Sequence, residues 1–431
     1  MSYSDTLEYL FTRLPMFQRT GPAAYKNNLD NTLRLDQLYG HPHKNYKTIH
    51  VAGTNGKGSV SHMLAAILQS AGYKTGLYTS PHLKDFRERI RINGKMIPES
   101  EVVDWVNKYR INNDLWKIDP SFFELTVALA FDYFAREKVD VAIMEVGLGG
   151  RLDSTNIIIP ELSAITNIGL DHVNLLGNTK AKIAGEKAGI IKPKIPVVIG
   201  ETNEETAPVF KQVAAGKEAP IFFADDEYEV SYATLGIDGK QNVRLEKNGE
   251  ALTSEIKLDL LGAYQHKNLP TVLKSVDLLR EKGFEISSSA LKEGLANVVG
   301  LTGLLGRWQI VGNNPLIVCD TGHNEDGIKA LVEQIKNTAF KNLHIVFGTV
   351  GDKNPDQVLA LLPKNAQYYF VSADIERALN ENKLKARATA FGLRGESFVS
   401  VKEGFAKARE TAQKQDMIFV GGSTFVVAEI L

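Results

Sequence analysis

A single cysteine, Cys319, stands in a chain of 431 residues, which leaves no partner for an internal disulfide or a thiolate metal cluster and suits a reducing compartment. No apolar run approaches the length of a membrane span. The opening stretch MSYSDTLEYLFTRL lacks the uninterrupted apolar core of a secretion signal, because Asp5, Glu8 and Arg13 divide it. An excess of charge is missing too: the net charge is -1 and the pI about 6.8, so no global basic field exists to attract nucleic acid or an anionic membrane. Short-period repeats and low-complexity tracts are absent. What is there is ordinary for a folded chain, 43% hydrophobic and 23% charged, with length for two or three domains. The expectation is a cytoplasmic protein, with a monomer as the default.

Apolar runs rich in β-branched residues alternate with helix-period segments, the pattern of a mostly parallel sheet covered by helices. Predicted strands are KTIHVA, KTGLYT, VDVAIME and ELSAITNI, with helices VSHMLAAILQSAG and FFELTVALAFDYFAREK among them. Between about residues 226 and 260 short alternating segments with glycine turns predict a small β-rich insertion, after which helix NLPTVLKSVDLLREKG resumes the pattern. A second alternation begins near residue 307, with strands PLIVCD, LHIVFG, QYYFVS and DMIFVGG. The stretch NVVGLTGLLG, with Gly300, Gly303 and Gly306, is the expected linker. The expected domains are therefore 1–299 and 307–431, joined by 300–306.

IHVAGTNGKGSVSHML, residues 49–64, reads as strand, glycine loop and helix. Backbone N–H groups and the positive helix end would face an anion there, with Lys57 reaching the terminal phosphates. The usual phosphate loop has a hydroxyl after its lysine to bind Mg²⁺, but here that residue is Gly58. Three other strand ends carry candidate ligands: Ser80 and His82 in LYTSPHL, Glu145 in AIMEVGLGGRLDSTN with Arg151 and Asp153 following, and Asp171 and His172 in ITNIGLDHVNLLG. In a parallel α/β sheet ligands gather at carboxyl ends of strands. A carboxylate closing VDVAIME would be costly to bury without a cation. His172 is the least natural Mg²⁺ ligand, because that ion prefers oxygen.

These motifs together resemble the folylpolyglutamate synthase and dihydrofolate synthase family of the Mur ligase superfamily. The resemblance spans nearly the whole chain, through GTNGKGS, TSPHL with ERIRING, FFELT, EVGLGGRLDSTN, NIGLDH, EKAGIIK, GRW and CDTGHN. It implies an α/β fold with a phosphate-loop-containing, Mur ligase-like central domain and a smaller C-terminal Rossmann-like domain acting as a lid. It also implies ATP contacts at Thr54, Asn55, Gly56, Lys57, Gly58, Ser59, Asn268, Arg307, Asp320 and His323. Metal ligands map onto Ser80, Glu145 and His172. Lys187 falls where the family carries a lysine carbamylated by CO₂, which would bind a second Mg²⁺. Ser121, Phe122, Phe123, Glu124, Leu152, Asp153 and Ser154 would line the pterin or pteroate site, and Arg19–Tyr25 would close over it. The chain departs from the family in CDTGHN, where Thr321 and Gly322 replace the frequent Gly and Ala.

The implied reaction joins L-glutamate to dihydropteroate or a reduced folate through an acyl phosphate, with ATP as co-substrate and Lys57, Lys187 and His172 as catalytic groups. A peptidoglycan ligase of the superfamily would need an extra N-terminal domain, for which the roughly fifty residues before the loop are too few. A phosphate-loop switch or motor would show no glutamate-dependent turnover.

Overall fold

The computed structural model of the protein describes residues 1–16, 28–252, 255–351 and 354–431. The expected closing segment Arg19–Tyr25 lies outside them. The chain forms two units, residues 1–259 with 265–304, and residues 260–264 with 305–431. Among the described residues no helix is long and apolar enough to cross a membrane.

The first unit is built on eight strands: β1 (Lys47–Ala52), β2 (Thr75–Tyr78), β3 (Ile90–Ile92), β4 (Lys95–Met96), β5 (Val141–Glu145), β6 (Leu162–Ile165), β7 (Val197–Ile199) and β8 (Ile221–Phe223). Their order is β4-β3-β2-β5-β1-β6-β7-β8, parallel except where β3 pairs with β2 and β4. Every residue of β5 is buried, as a parallel strand covered on both faces requires. From β1 the chain runs to one side through β2 and β5 and to the other through β6 to β8, so the sheet switches direction at β1, where open α/β sheets form ligand crevices.

Helix Phe122–Arg136 starts at a capping box. Ser121 Oγ accepts from Glu124 N (3.2 Å) and Glu124 Oε2 accepts from Ser121 N (2.6 Å). The predicted insertion is a four-stranded antiparallel sheet of β9 (Tyr228–Leu235), β10 (Gln241–Lys247), β11 (Glu250–Ala251) and β12 (Ile256–Leu258). Tyr228 Oη and Lys247 Nζ both donate to Asp277 Oδ2, over 2.5 and 2.7 Å, and clip this sheet to helix Gln265–Glu281.

The second unit holds β13 (Gln309–Asn313), β14 (Leu316–Cys319), β15 (Leu343–Phe347), β16 (Gln367–Val371), β17 (Arg394–Phe398) and β18 (Met417–Gly421), ordered β13-β14-β18-β15-β16-β17. Only the β13–β14 pairing is antiparallel. Trp308, Phe347, Tyr368, Phe370 and Phe419 fill its core.

The glycine-rich stretch read as a linker takes a different form. Val298–Thr302 is a short helix with buried ends, and Gly303 caps it in the left-handed region at φ 69°. Asp259 Oδ2 accepts from Val299 N (2.9 Å), satisfying a donor at the helix start. The boundary between the units falls after Leu304, and residues 260–264 belong with the second unit.

Candidate active site

The loop after β1 owes its shape to two glycines. Gly53 lies at φ 144° and Gly56 at φ 84°. A Cβ would stand 1.9 Å from Thr166 Oγ1 at Gly53 and 2.1 Å from Asn268 Oδ1 at Gly56, so no side chain fits at either position. The segment after β6 clamps the loop. Thr54 N donates to Asn167 O (2.9 Å), and Asn167 exchanges two bonds with the Asn55 backbone, at 3.0 and 3.1 Å. Thr54 Oγ1 accepts from Gly169 N (2.9 Å). Helix Lys57–Ser70 follows, its first internal bond running from Val60 N to Gly56 O, so the donors of its opening turn lie at the end that favours an anion. Gly58, in that turn, brings no side chain.

Lys57 Nζ donates to Gly53 O and Thr54 O, each at 3.0 Å. Lys187, at the end of helix Lys180–Lys187, is buried and donates to the same Gly53 oxygen at 2.7 Å. Burial first and the Lys57 charge second hold its amine well below the ordinary ammonium range, against the opposing pull of Asp171 and Asp153. Ser59 and Asn268 are buried as well, linked through Gln265 rather than to each other.

Glu145 ends β5 in register with Val51, two residues before the loop, and is only 4% exposed. Its Oε2 accepts from Ser80 N (3.2 Å), which joins two of the expected ligands. His172 sits past β6 in the left-handed region at φ 51°, at the start of the short helix Val173–Leu176, with its ring 29% exposed. Among the described residues no three His, Cys, Asp or Glu side chains gather as a metal-holding group. Beyond the loop itself, these contacts unite Ser80 with Glu145 and Lys187 with Gly53, and His172 lies past the end of β6.

The expected substrate residues divide by role. Phe122 is 3% exposed and sits in the core cluster of the first unit, its ring tilted against Phe11 and edge-on to Phe86, with the Arg89 guanidinium 5.0 Å from it. Phe123 is half-buried and lies against Gly147, where an added Cβ would come 2.4 Å from its ring, in the loop directly after Glu145. Ser121 and Glu124 are engaged in the capping box. Asp153 organises the loop. Its Oδ2 accepts from Gly147 N and Leu148 N (2.9 Å each), and its Oδ1 from Thr155 N (3.0 Å) and Thr155 Oγ1 (2.5 Å). Burial nevertheless raises its carboxyl above the usual range. Leu152 is half-buried and Ser154 buried beside it.

In the second unit Asp320 Oδ2 accepts from Tyr264 Oη (2.6 Å) and Trp308 N (2.7 Å), and Oδ1 from Gly322 N (2.8 Å). Burial raises this carboxyl too. Arg307 donates to Thr321 Oγ1 and to Gly306 O, and His323 Nδ1 meets Thr321 O at 3.1 Å.

Sequence reasoning missed two partners. Gln265 precedes the singled-out Asn268 without being noticed, and glutamine inside a helix carries no signature. Arg89 is buried, donates to His82 Nδ1 (2.7 Å), and feels the charge of Glu145. The signal available was an arginine directly before the short strand Ile90–Ile92.

Comparison with known proteins bears on the whole arrangement. The Mur ligase middle domain family matches residues 51–275, and the Mur ligase glutamate ligase domain family residues 306–424. The dihydrofolate synthase/folylpolyglutamate synthase of Bacillus subtilis is 33% identical over all of this chain and 98% of its own length. A probable bifunctional folylpolyglutamate synthase/dihydropteroate synthase of Haloferax volcanii is also 33% identical, and this chain spans 50% of that longer protein. Among solved structures, Escherichia coli FolC in complex with DHPP and ADP is 29% identical, with a TM-score of 0.86 over 100% of this chain and 97% of that one. The Yersinia pestis bifunctional enzyme complexed with AMPPNP and Mn ion is 28% identical, with a TM-score of 0.82 over 100% and 97%. With its glycine loop, its strand-end Glu145 and two family domains matched in order, the chain belongs to the folylpolyglutamate synthase/dihydrofolate synthase family of the Mur ligase superfamily.

Proposed function

We propose that the protein is an ATP-dependent ligase that forms an amide between L-glutamate and the carboxylate of dihydropteroate or a reduced folate. The observation that carries the reading is the clamped loop Gly53–Ser59 beside the buried Glu145, in a chain matched along its length by enzymes of that name. A carboxylate is a poor acyl donor, so the γ-phosphoryl group of ATP moves to it first and gives an acyl phosphate. The amine of glutamate then attacks the acyl carbon and phosphate leaves. Lys57 and the N–H groups of the first helical turn stabilise charge on the moving phosphoryl group. Thr54, Asn55, Gly56, Gly58 and Ser59 shape the phosphate cradle, with Asn268 beneath Gly56.

The residues present fit a divalent ion. Glu145 would supply a buried carboxylate and Ser80 a hydroxyl on the neighbouring strand end, both hard oxygen donors of the kind Mg²⁺ takes. Such an ion supplies charge neutralisation for phosphoryl transfer. We assign His172 and a carbamylated Lys187 to a second ion. In support, the buried Lys187 amine is held toward its neutral form, the form that attacks CO₂ with loss of a proton. Phe123, Leu152, Asp153 and Ser154 form the proposed folate-side wall, with Ser121 and Glu124 fixing the helix that presents Phe123. By resemblance Arg307, Asp320 and His323 contact the nucleotide, supported by the bonds that order each of them locally.

The test measures ADP release by the purified protein with and without dihydropteroate, a reduced folate and glutamate. The reading requires release that depends on glutamate together with one of the two acceptors, and formation of the matching amide. Glutamate-independent hydrolysis at the full rate would return the protein to the switch or motor class.

A further inference from the structure

After β2 the chain runs through a loop that carries Ser80 and His82 and ends in the short helix Phe86–Arg89. Glu88 folds this loop around its carboxylate, which accepts from Leu83 N (2.7 Å), Lys84 N (3.0 Å) and Asp85 N (2.9 Å). Asp85 in turn accepts from Arg87 N (2.9 Å) and from the Tyr3 hydroxyl (3.1 Å). A loop whose backbone donors are bound in this way holds its side chains in fixed places. Just before His82, Ser80 N reaches Glu145. The His82 ring lies 6.0 Å from Phe11 and 6.4 Å from Phe86, centroid to centroid, and Phe11 also meets Phe122 at 5.6 Å, at the start of the helix that presents Phe123. His82 is therefore tied along the chain to Ser80 and Glu145, and through Phe11 to the proposed folate-side wall.

Arg89 determines what the ring can do. A guanidinium only donates, so His82 Nδ1 accepts from Arg89 Nε (2.7 Å), and the proton of the neutral imidazole sits on Nε2. Nδ1 is then closed to a metal ion, and Nε2, which carries the proton, has no lone pair to offer. The strand-end histidine that the sequence marked as a candidate ligand is a hydrogen-bond donor instead. Among the described residues Nε2 meets no acceptor, and the ring is only half-buried. A donor fixed on a stiff loop beside Ser80, with no acceptor in the protein, is arranged for one in the substrate.

We propose that His82 Nε2–H binds the substrate carboxylate that is activated, and that Arg89 is a positioning residue that fixes the tautomer required. This rests on the ligase reading. One carboxylate oxygen rests on Nε2–H while the other attacks the γ-phosphorus of ATP. The bond from that phosphorus to the bridging oxygen breaks, and ADP leaves with the electron pair. A neutral donor suits this step. A cation in the same place would hold the carboxylate more tightly before reaction and draw off the charge it needs as a nucleophile, whereas a neutral N–H orients it at a smaller cost.

Two substitutions in the full-length enzyme separate the two ring nitrogens. His82→Asn places an amide oxygen near the Nδ1 position, which keeps an acceptor for Arg89 and loses the far N–H. His82→Gln reaches the Nε2 position with an amide N–H and gives up the Arg89 bond. In His82→Asn, kcat/KM for the dihydropteroate or folate substrate is expected to fall about tenfold or more while the KM for ATP stays within about twofold. His82→Gln should recover part of that loss despite a lower melting temperature. A histidine that merely held Arg89 would give the opposite order, Asn near wild type and Gln impaired, and that order in folded variants overturns the proposal. A second measurement uses the wild type alone. With ¹⁵N-labelled histidine, His82 should show a protonated Nε2 and a bare Nδ1, and its Nε2–H signal should shift on addition of dihydropteroate but not of a dihydropterin that lacks the carboxylate. A signal unmoved by saturating dihydropteroate, or moved equally by both compounds, overturns the carboxylate contact whatever the kinetics. A wild-type protein that binds dihydropteroate and forms no amide overturns the ligase reading instead, and the signal then still tests the contact.

Discussion

Lys187 and Lys57 donate to one oxygen, the carbonyl of Gly53, over 2.7 and 3.0 Å. Two ammonium groups on one acceptor repel, and the buried one yields: desolvation and the Lys57 charge together press Lys187 toward the neutral amine. The same oxygen belongs to the glycine that starts the phosphate loop. Loop geometry and lysine chemistry are therefore linked at a single atom.

Lys187→Ala is expected to lower amide synthesis by about a hundredfold or more, the scale of losing a charge-stabilising group at a phosphoryl-transfer site. Added formate or acetate should recover part of the loss by filling the carboxylate position. Lys182→Ala serves as the control, because Lys182 is exposed and bonded only locally to Asn178. Steady-state rates with and without formate decide the matter, and full activity in Lys187→Ala without any added carboxylate removes the carbamate from catalysis.

Glu145→Gln keeps shape and burial while removing the charge that ends β5. Synthesis should fall by about a hundredfold or more at limiting Mg²⁺, with the melting temperature near wild type. The check is an Mg²⁺ titration of the rate beside a thermal melt. An unaltered Mg²⁺ dependence would take Glu145 out of the metal site.

The central strands were legible because each is an apolar, β-branched run with a motif at its end. KTIHVA coincides with Lys47–Ala52, and VDVAIME contains Val141–Glu145. β13 and β17 escaped because they are edge strands of half-exposed, polar composition, QIVGN and RGESF, which lack the buried-strand signature. The glycine-rich stretch was harder to read for a related reason. Glycines at 300, 303 and 306 suggested an open connection, but only Gly303 and Gly306 use a left-handed conformation, and Val298 and Thr302 anchor the segment in the first unit. At the site, glycines and the strand-end carboxylate could be read locally. Gln265 bonds to Ser59, about two hundred positions away, and a separation of that kind leaves no local pattern.

Adjacent phenylalanines should separate stability from substrate binding. Phe122→Ala empties a position packed by Phe11 and Phe86, at a cost of about 3–5 kcal/mol. Phe123→Ala removes the half-buried ring beside Gly147, so stability should suffer less while the KM for the pterin substrate rises about tenfold and that for ATP stays put. Urea melts and substrate titrations on both variants test the division. An unchanged pterin KM in Phe123→Ala would move the folate-side wall elsewhere.

His50 sits fully buried on β1, its Nε2 2.8 Å from Thr155 Oγ1, and burial, aided by the Lys192 charge, pushes its pKa down to about 3. Thr155 Oγ1 gives its proton to Asp153, so it accepts from His50 Nε2–H, and the ring must stay neutral with its proton on that nitrogen. The unfolded chain binds a proton at its ordinary pKa of 6.5. Between about 3 and 6.5 the unfolded state therefore holds more protons than the folded one. Stability from this group is complete above 6.5 and lost as pH falls, at up to about 1.4 kcal/mol per pH unit. His50→Asn retains an N–H for Thr155 and removes the titration. It should be less stable than wild type at pH 7, through imperfect packing, and the gap should narrow or reverse as pH falls from 6.5 toward 4. Denaturant midpoints of both proteins at matched pH values give the comparison. A constant gap across that range would mean that His50 does not titrate between the two states, and that the strand carrying the phosphate loop gains no acid sensitivity from it.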